Sequence, residues 1–251
     1  MCDDSRAQSE LLGFVLIFAV VILTIAVVSA TGVVGFNNAQ DYQRTANTEG
    51  AFTVLANNVE DVTRMGAPSR GTEIGITGAS LSVETERSSM DIALDGETLE
   101  LEPDGETGSV VYDSGTGTTL TYRSGALIRE DDGSSVLFRE PGFVITDEEV
   151  ILPIVRLSPA GTSEVGGTSN VDVRTIHNGT EVPVESEAVD DNVTIVLETP
   201  HVDVWQRYFE GFDGDGPITD VDPDPGADTV EVRIETDRLT VTVDRITTTF
   251  R

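Results

Sequence analysis

The chain reads as an α+β protein, with a long N-terminal transmembrane helix followed by a mainly antiparallel, sandwich-like β domain. Three observations predict this. Residues 11–36, LLGFVLIFAVVILTIAVVSATGVVGF, carry no charge. The next segment, to about residue 66, has few helix breakers. Beyond Pro68, Val, Ile, Leu and Thr alternate with acidic residues, and Gly or Asp-Gly pairs punctuate the pattern.

The apolar run is the first element. A helix rises ~1.5 Å per residue and the apolar core of a bilayer needs ~20 residues, so this run is long enough to cross one. It admits a cleavable secretory signal, with Val28-Ser29-Ala30 as a small-residue cut site. It also admits a plain uncleaved anchor.

From Asn37 to Arg64 the positions Ala51, Val54, Leu55, Asn58, Val59 and Val62 recur at helical spacing. This predicts a helical stalk over residues 37–66, stopped at Met65-Gly66-Ala67-Pro68. After Pro68, candidate strands follow at Glu73 to Ile76, Ala79 to Thr85, Met90 to Leu94, Thr98 to Glu102, Ser109 to Tyr112, Thr118 to Arg123, Leu127 to Glu130, Val136 to Arg139, Val150 to Leu157, Val171 to Ile176 and Val193 to Leu197. Turns are expected at Asp95-Gly96, Asp104-Gly105 and Asp132-Gly133. The clearest hairpin expected joins Val230-Val232-Ile234 to Leu239-Val241-Val243 through Thr236-Asp237. A short aromatic helix, capped by Thr199 and entered at Pro200, carries Val202, Trp205, Tyr208, Phe209 and Phe212 as a lid on the core.

Composition narrows the setting. There are 45 acidic residues against 15 basic ones, for a net charge of −30, and every basic residue is Arg. Such a charge repels itself at low salt. At molar salt the Debye length is only ~3 Å and the repulsion is screened. Abundant carboxylates without Lys look like the proteome of an extreme halophile. The scattered Arg residues offer no cluster for phosphates, so nucleic acid is not an expected partner. The only cysteine is Cys2, so no intramolecular disulfide can form.

Residues Ser5-Arg6-Ala7-Gln8-Ser9-Glu10-Leu11-Leu12-Gly13-Phe14 resemble the class III signal of archaeal pilins and archaellins, with the apolar run directly after it. The resemblance covers about residues 5 to 36. It implies a leader over 1–7 ending at Arg6 and Ala7, cut by a prepilin peptidase to leave Gln8 as the new N-terminus. It implies a transmembrane or filament-core helix over 8–36, and Glu10 near the positive end of the helix dipole. Many pilins carry Glu at the fifth mature position, whereas Glu10 would be third. The two remaining regions would be the stalk, 37–66, and an acidic β-rich extracellular domain, 67–251. On this reading the protein is a single-pass, membrane-anchored, pilin-like surface protein with a structural or adhesive role. Its partners would be the membrane, the peptidase and other pilin-like subunits in a homo- or hetero-oligomer. The alternative is a stationary surface receptor or binding module that never assembles.

Chemistry-bearing motifs are scarce. His177 and His201 are the only histidines, and HExxH, GxSxG, P-loop and Rossmann patterns are absent. No enzyme activity and no cofactor are expected. Asn178-Gly179-Thr180 and Asn192-Val193-Thr194 are glycosylation sequons. Counting from Asp220, the residues Asp222, Asp224, Asp228 and Glu231 fall on Ca2+-loop positions three, five, nine and twelve. Pro225 stands where that loop needs Gly.

Overall fold

The computed structural model describes residues 4–86, 88–99, 101, 106–212 and 216–251; of residues 4–12, 30–39 and 41 it describes the backbone alone. In chain order the elements are α1 (Asp4–Arg64), β1 (Ser69–Gly75), β2 (Ala79–Glu84), β3 (Ser89–Leu94), β4 (Glu97–Thr98), β5 (Ser109–Asp113), β6 (Thr118–Arg123), β7 (Ala126–Asp131) and β8 (Ser134–Arg139). There follow β9 (Val144–Ile145), β10 (Val150–Pro159), β11 (Glu164–Gly167), β12 (Asn170–Ala188), β13 (Val193–Glu198), α2 (Val202–Glu210), β14 (Ile218–Asp224), β15 (Thr229–Ile234) and β16 (Arg238–Phe250).

The α+β expectation built on a transmembrane or filament helix is corrected to a mostly β architecture. Three sheets replace the expected sandwich, with strand orders β1-β12-β16-β10-β9, β11-β2-β5-β6-β7-β8 and β14-β15-β13-β3-β4. The expected membrane anchor is corrected too. Among the described residues no helix is long and apolar enough to cross a membrane, so single-pass anchoring is unsupported.

The chain divides into two compact units, Met1–Asn47 and Thr48–Arg251. In the first, residues 4–47 are helical. In the second, residues 48–64 of α1 are a core element, not the free stalk expected over 37–66. Phe52, Leu55, Ala56, Val59 and Val62 lie one helical turn apart on one face, and all are buried. They pack with Ile74, Leu81, Val110, Tyr112, Leu120 and Tyr122 from β1, β2, β5 and β6. The helix ends as its sequence signals. Ala67 N–H donates to the Asp61 carbonyl at 3.2 Å while Gly66 takes φ +70°.

The first sheet is covered on both faces. Because successive side chains alternate sides, Val150, Leu152 and Ile154 of β10 enter one core while Val155 and Leu157 enter the other. In β16, Leu239, Val241 and Val243 go to the first core and Ile246 to the second. The two cores therefore lie on opposite faces of the same strands, offset along them. The adjacent pair β10–β16 is parallel, against the expected antiparallel order.

The predicted hairpin at Thr236-Asp237 is also corrected. β15 pairs with β13 and β14, whereas β16 pairs with β12 and β10 in another sheet. The linker is held by the segment between β9 and β10: Asp237 N–H donates to the Asp147 carbonyl at 2.9 Å and Thr236 Oγ1 to the Thr146 carbonyl at 3.0 Å. Both apolar faces still meet in one core, so the alternation was read correctly and the pairing was not.

Smaller differences have local causes. β12 runs on through Asn178-Gly179, read as a turn, because register shifts at Asn178 and at Val182-Pro183 absorb the extra residues as bulges. The helix α2 starts at Val202 with His201 at its N-cap, and the Thr199 hydroxyl accepts the His201 N–H at 3.1 Å. Ile218–Asp224, read as loop, is a strand. Of the expected strand Thr98 to Glu102 only Thr98 falls in β4; Glu100 and Glu102, like the Asp104-Gly105 turn, lie outside the described residues. Asp95-Gly96 and Asp132-Gly133 take the paired positive φ values of a tight hairpin turn.

Candidate functional site

The largest chemical anomaly of the first unit is its apolar surface. Phe14, Leu16, Ile17, Leu23 and Val28 of α1 are each 62–69% exposed. Phe14 and Phe18 stack at 6.3 Å, and the Thr24 hydroxyl returns to the Val20 carbonyl at 2.7 Å, as a polar group on an apolar helix should. Contiguous apolar exposure of this extent is uncommon on a protein surface left in water.

In the second unit, a cavity of about 470 Å³ opens between the last turns of α1, the β6–β7 turn, the Glu140–Gly142 loop and the middle of the two-faced sheet. One wall is a charge network. Glu60 accepts from Arg64 at 3.0 Å and from Arg139 at 2.9 Å, and Arg139 also donates to Asn57 Oδ1 at 2.6 Å. The lining also includes Asp244, which is 6% exposed. Thr180 donates its hydroxyl to Asp244, and His177 Nε2 stands 3.3 Å from the same carboxylate. Tyr122 lines the cavity as well, and burial pushes its phenol above the ordinary range.

A hydroxyl, an imidazole and a carboxylate thus meet. Yet His177 offers one nitrogen, Nε2, to both Thr180 (3.2 Å) and Asp244 (3.3 Å). A relay needs one ring nitrogen on the nucleophile and the other on the carboxylate. The cluster fastens β12 to β16 instead.

The residues singled out from sequence do not converge. Arg6, Ala7, Gln8 and Glu10 lie in the helical backbone of α1, and their side chains lie outside the described residues. Asn178 on β12 donates its amide to the Thr247 hydroxyl, and Asn192 accepts the Thr194 hydroxyl at 3.1 Å. The expectation of a glycoprotein is corrected, because nothing beyond the two sequons supports it and the Asn178 amide is already engaged. The Ca2+ reading fails on geometry. Asp220, Asp222 and Asp224 lie on β14, Glu231 on β15, and Asp228 between the two strands. Arg233 takes Asp220 at 3.3 Å and Glu231 at 2.7 Å, and Asp224 accepts the Gly226 N–H at 2.9 Å to close the turn. Among the described residues no group of three or more His, Cys, Asp or Glu is placed to hold a metal ion.

Sequence reasoning missed two cavities of the second unit, the one above and a smaller one at Arg123. Their linings come from segments far apart in the chain, with no local motif to find them. A sequence profile described as a family of unknown function, DUF7289, matches residues 6–249. No curated protein and no solved structure matches the chain significantly.

Proposed function

The chain belongs to DUF7289, a family of unknown function, and we propose that it is a structural or adhesive subunit that associates with further copies of itself through the apolar part of α1. The observation that carries this reading is the exposure of Phe14 to Val28 on a helix with no charge along that stretch. A helix apolar on all sides is a buried helix, so something covers it. The net charge of −30 lies wholly outside residues 11–36. Copies can therefore pack along this stretch while the acidic units stay apart in solvent.

The protein works by contact rather than by catalysis. The one-nitrogen arrangement at His177 supports this, as does the pairing of His201 with Glu130 at 3.4 Å.

The test is light scattering and electron microscopy of the full chain at molar salt, beside the double variant Phe18→Asp and Ile22→Asp. Ordered assemblies of the wild type and monomers of the variant, with unchanged far-ultraviolet dichroism of the β unit, are expected. A monomeric wild type, or wild type that sediments with phosphatidylglycerol vesicles and not with itself, would overturn the reading.

A further inference from the structure

A second cavity, of about 190 Å³, lies where the ends of β2 and β6 meet the start of α2. Arg123, at the end of β6, lines it and is 3% exposed. Its Nη2 donates to the Ser89 carbonyl at 2.7 Å, while its Nε has no hydrogen-bond partner. Among the described residues no carboxylate lies within ion-pairing distance of its guanidinium. Glu198, whose charge reaches it, accepts the Ser89 hydroxyl at 3.2 Å instead. Burial pulls the Arg123 guanidinium down to about 9, the mark of a cation without an adequate counter-charge. A buried cation left this way needs an anion beside it.

The rest of the lining says which kind. The helix α2 starts beside the cavity without a side-chain cap, so its positive end is left to a ligand or to solvent. Hydroxyls come from Ser88, Thr121 and Thr199. Glu84, Glu86 and Glu130 also line the cavity; Glu84 and Glu86 are exposed and Glu130 is half-buried against His201. Among the described residues the site is thus cationic at its buried base and anionic toward solvent. A simple anion would satisfy Arg123 and be repelled by the three glutamates. A simple cation would be held by the glutamates and leave Arg123 unpaired.

We propose that this cavity binds a small zwitterion of amino-acid type, its carboxylate on Arg123 and its ammonium toward Glu84, Glu86 and Glu130. A carboxylate suits a guanidinium, which can meet it with two parallel N–H donors. The volume limits the ligand to one small molecule. This site is independent of the assembly proposed above, since none of its residues lies in the first unit.

The test is thermal shift and calorimetry of the full chain at molar salt with each standard amino acid, and with acetate and methylammonium as half-ligands. At least one amino acid should raise the melting temperature through binding to the folded state. It should bind ~10-fold or more tightly than either half-ligand, the fold-change expected for one added ion pair of ~1.4 kcal/mol. The exposed double variant Glu84→Gln and Glu86→Gln, which leaves the buried base intact, should lose most of that advantage while binding acetate at least as tightly as the wild type. Arg123→Gln should abolish binding of amino acid and acetate alike, and the double variant keeps the test sound if Arg123→Gln does not fold. Failure of every amino acid to bind, acetate binding as tightly as any of them, or amino-acid affinity unchanged in the double variant would each overturn the proposal.

Discussion

Arg129 on β7 reaches Glu49 on α1 at 2.5 Å and Asp131 on its own strand at 2.5 Å. One guanidinium thus ties the helix to the second sheet and steadies the end of the hairpin that follows. Asp131, whose second oxygen accepts the Thr118 hydroxyl at 2.7 Å, is held below the usual carboxylate range chiefly by Arg129. A double-mutant cycle with Arg129→Ala and Glu49→Ala should give a coupling of about 1 kcal/mol, since both side chains are less than a third exposed. The coupling should shrink between low and molar salt as screening grows. Urea midpoints of the four proteins at both salts measure it, and zero coupling would make the contact incidental.

Phe52 tests whether residues 48–64 belong to the β unit. Its ring is fully buried and meets Tyr112 edge-on at 6.4 Å. Phe52→Ala should cost about 3–5 kcal/mol, the range for a large core ring left as a cavity. The loss should appear in the unfolding midpoint of the β unit read by near-ultraviolet dichroism. A free stalk would leave that midpoint unmoved.

The contrast between Phe52 and the helix it sits on shows what was legible in the chain. Helical spacing named Leu55, Val59 and Val62 correctly, because an apolar face is a local property. It could not say what covers that face, and the stalk was the wrong answer. The strands were legible for the same reason, since Val230-Val232-Ile234 and Leu239-Val241-Val243 alternate as written. Their partners were not legible, because pairing across the chain is set by which faces bury together, and both faces here bury in one core. The parallel pair β10–β16 brings together residues some ninety positions apart, beyond the reach of any local pattern. The cavity at Arg123 was illegible on the same ground: Arg123, Glu84 and His201 meet only in the folded chain.

Two glycines separate strain from collision. Gly78 and Gly108 both hold positive φ, +74° and +67°, which an L side chain adopts at a cost of ~1–2 kcal/mol. At Gly78 an added Cβ meets open space, but at Gly108 it would lie 2.3 Å from the Leu157 carbonyl oxygen. Gly78→Ala should therefore lose only the conformational term. Gly108→Ala must also push β10 away from the turn, and Leu157 N–H gives up its bond to the Thr107 carbonyl at 2.7 Å if it moves. Its loss should exceed that of Gly78→Ala by ~1–3 kcal/mol, read from urea midpoints of the two variants.

His201 sets an acid limit on stability. Burial lowers its affinity for a proton below the ordinary 6.5, opposed mainly by Glu130 and aided by Arg123. The folded chain thus keeps His201 neutral where the unfolded chain protonates it. Above 6.5 neither state holds the proton and the contribution is complete. As pH falls below 6.5 the unfolded state gains protons first, so stability drops until the folded residue protonates as well. The carboxylates Asp95 and Asp131 act in a separate window, because both are held below 3.8 when folded and lose their contribution only as pH falls beneath that value. Urea midpoints followed downward from 6.5 should therefore decline well before the carboxylates titrate. His201→Gln should start from a lower stability and stay flat across that first window, and a decline identical to the wild type would assign the acid sensitivity to other groups.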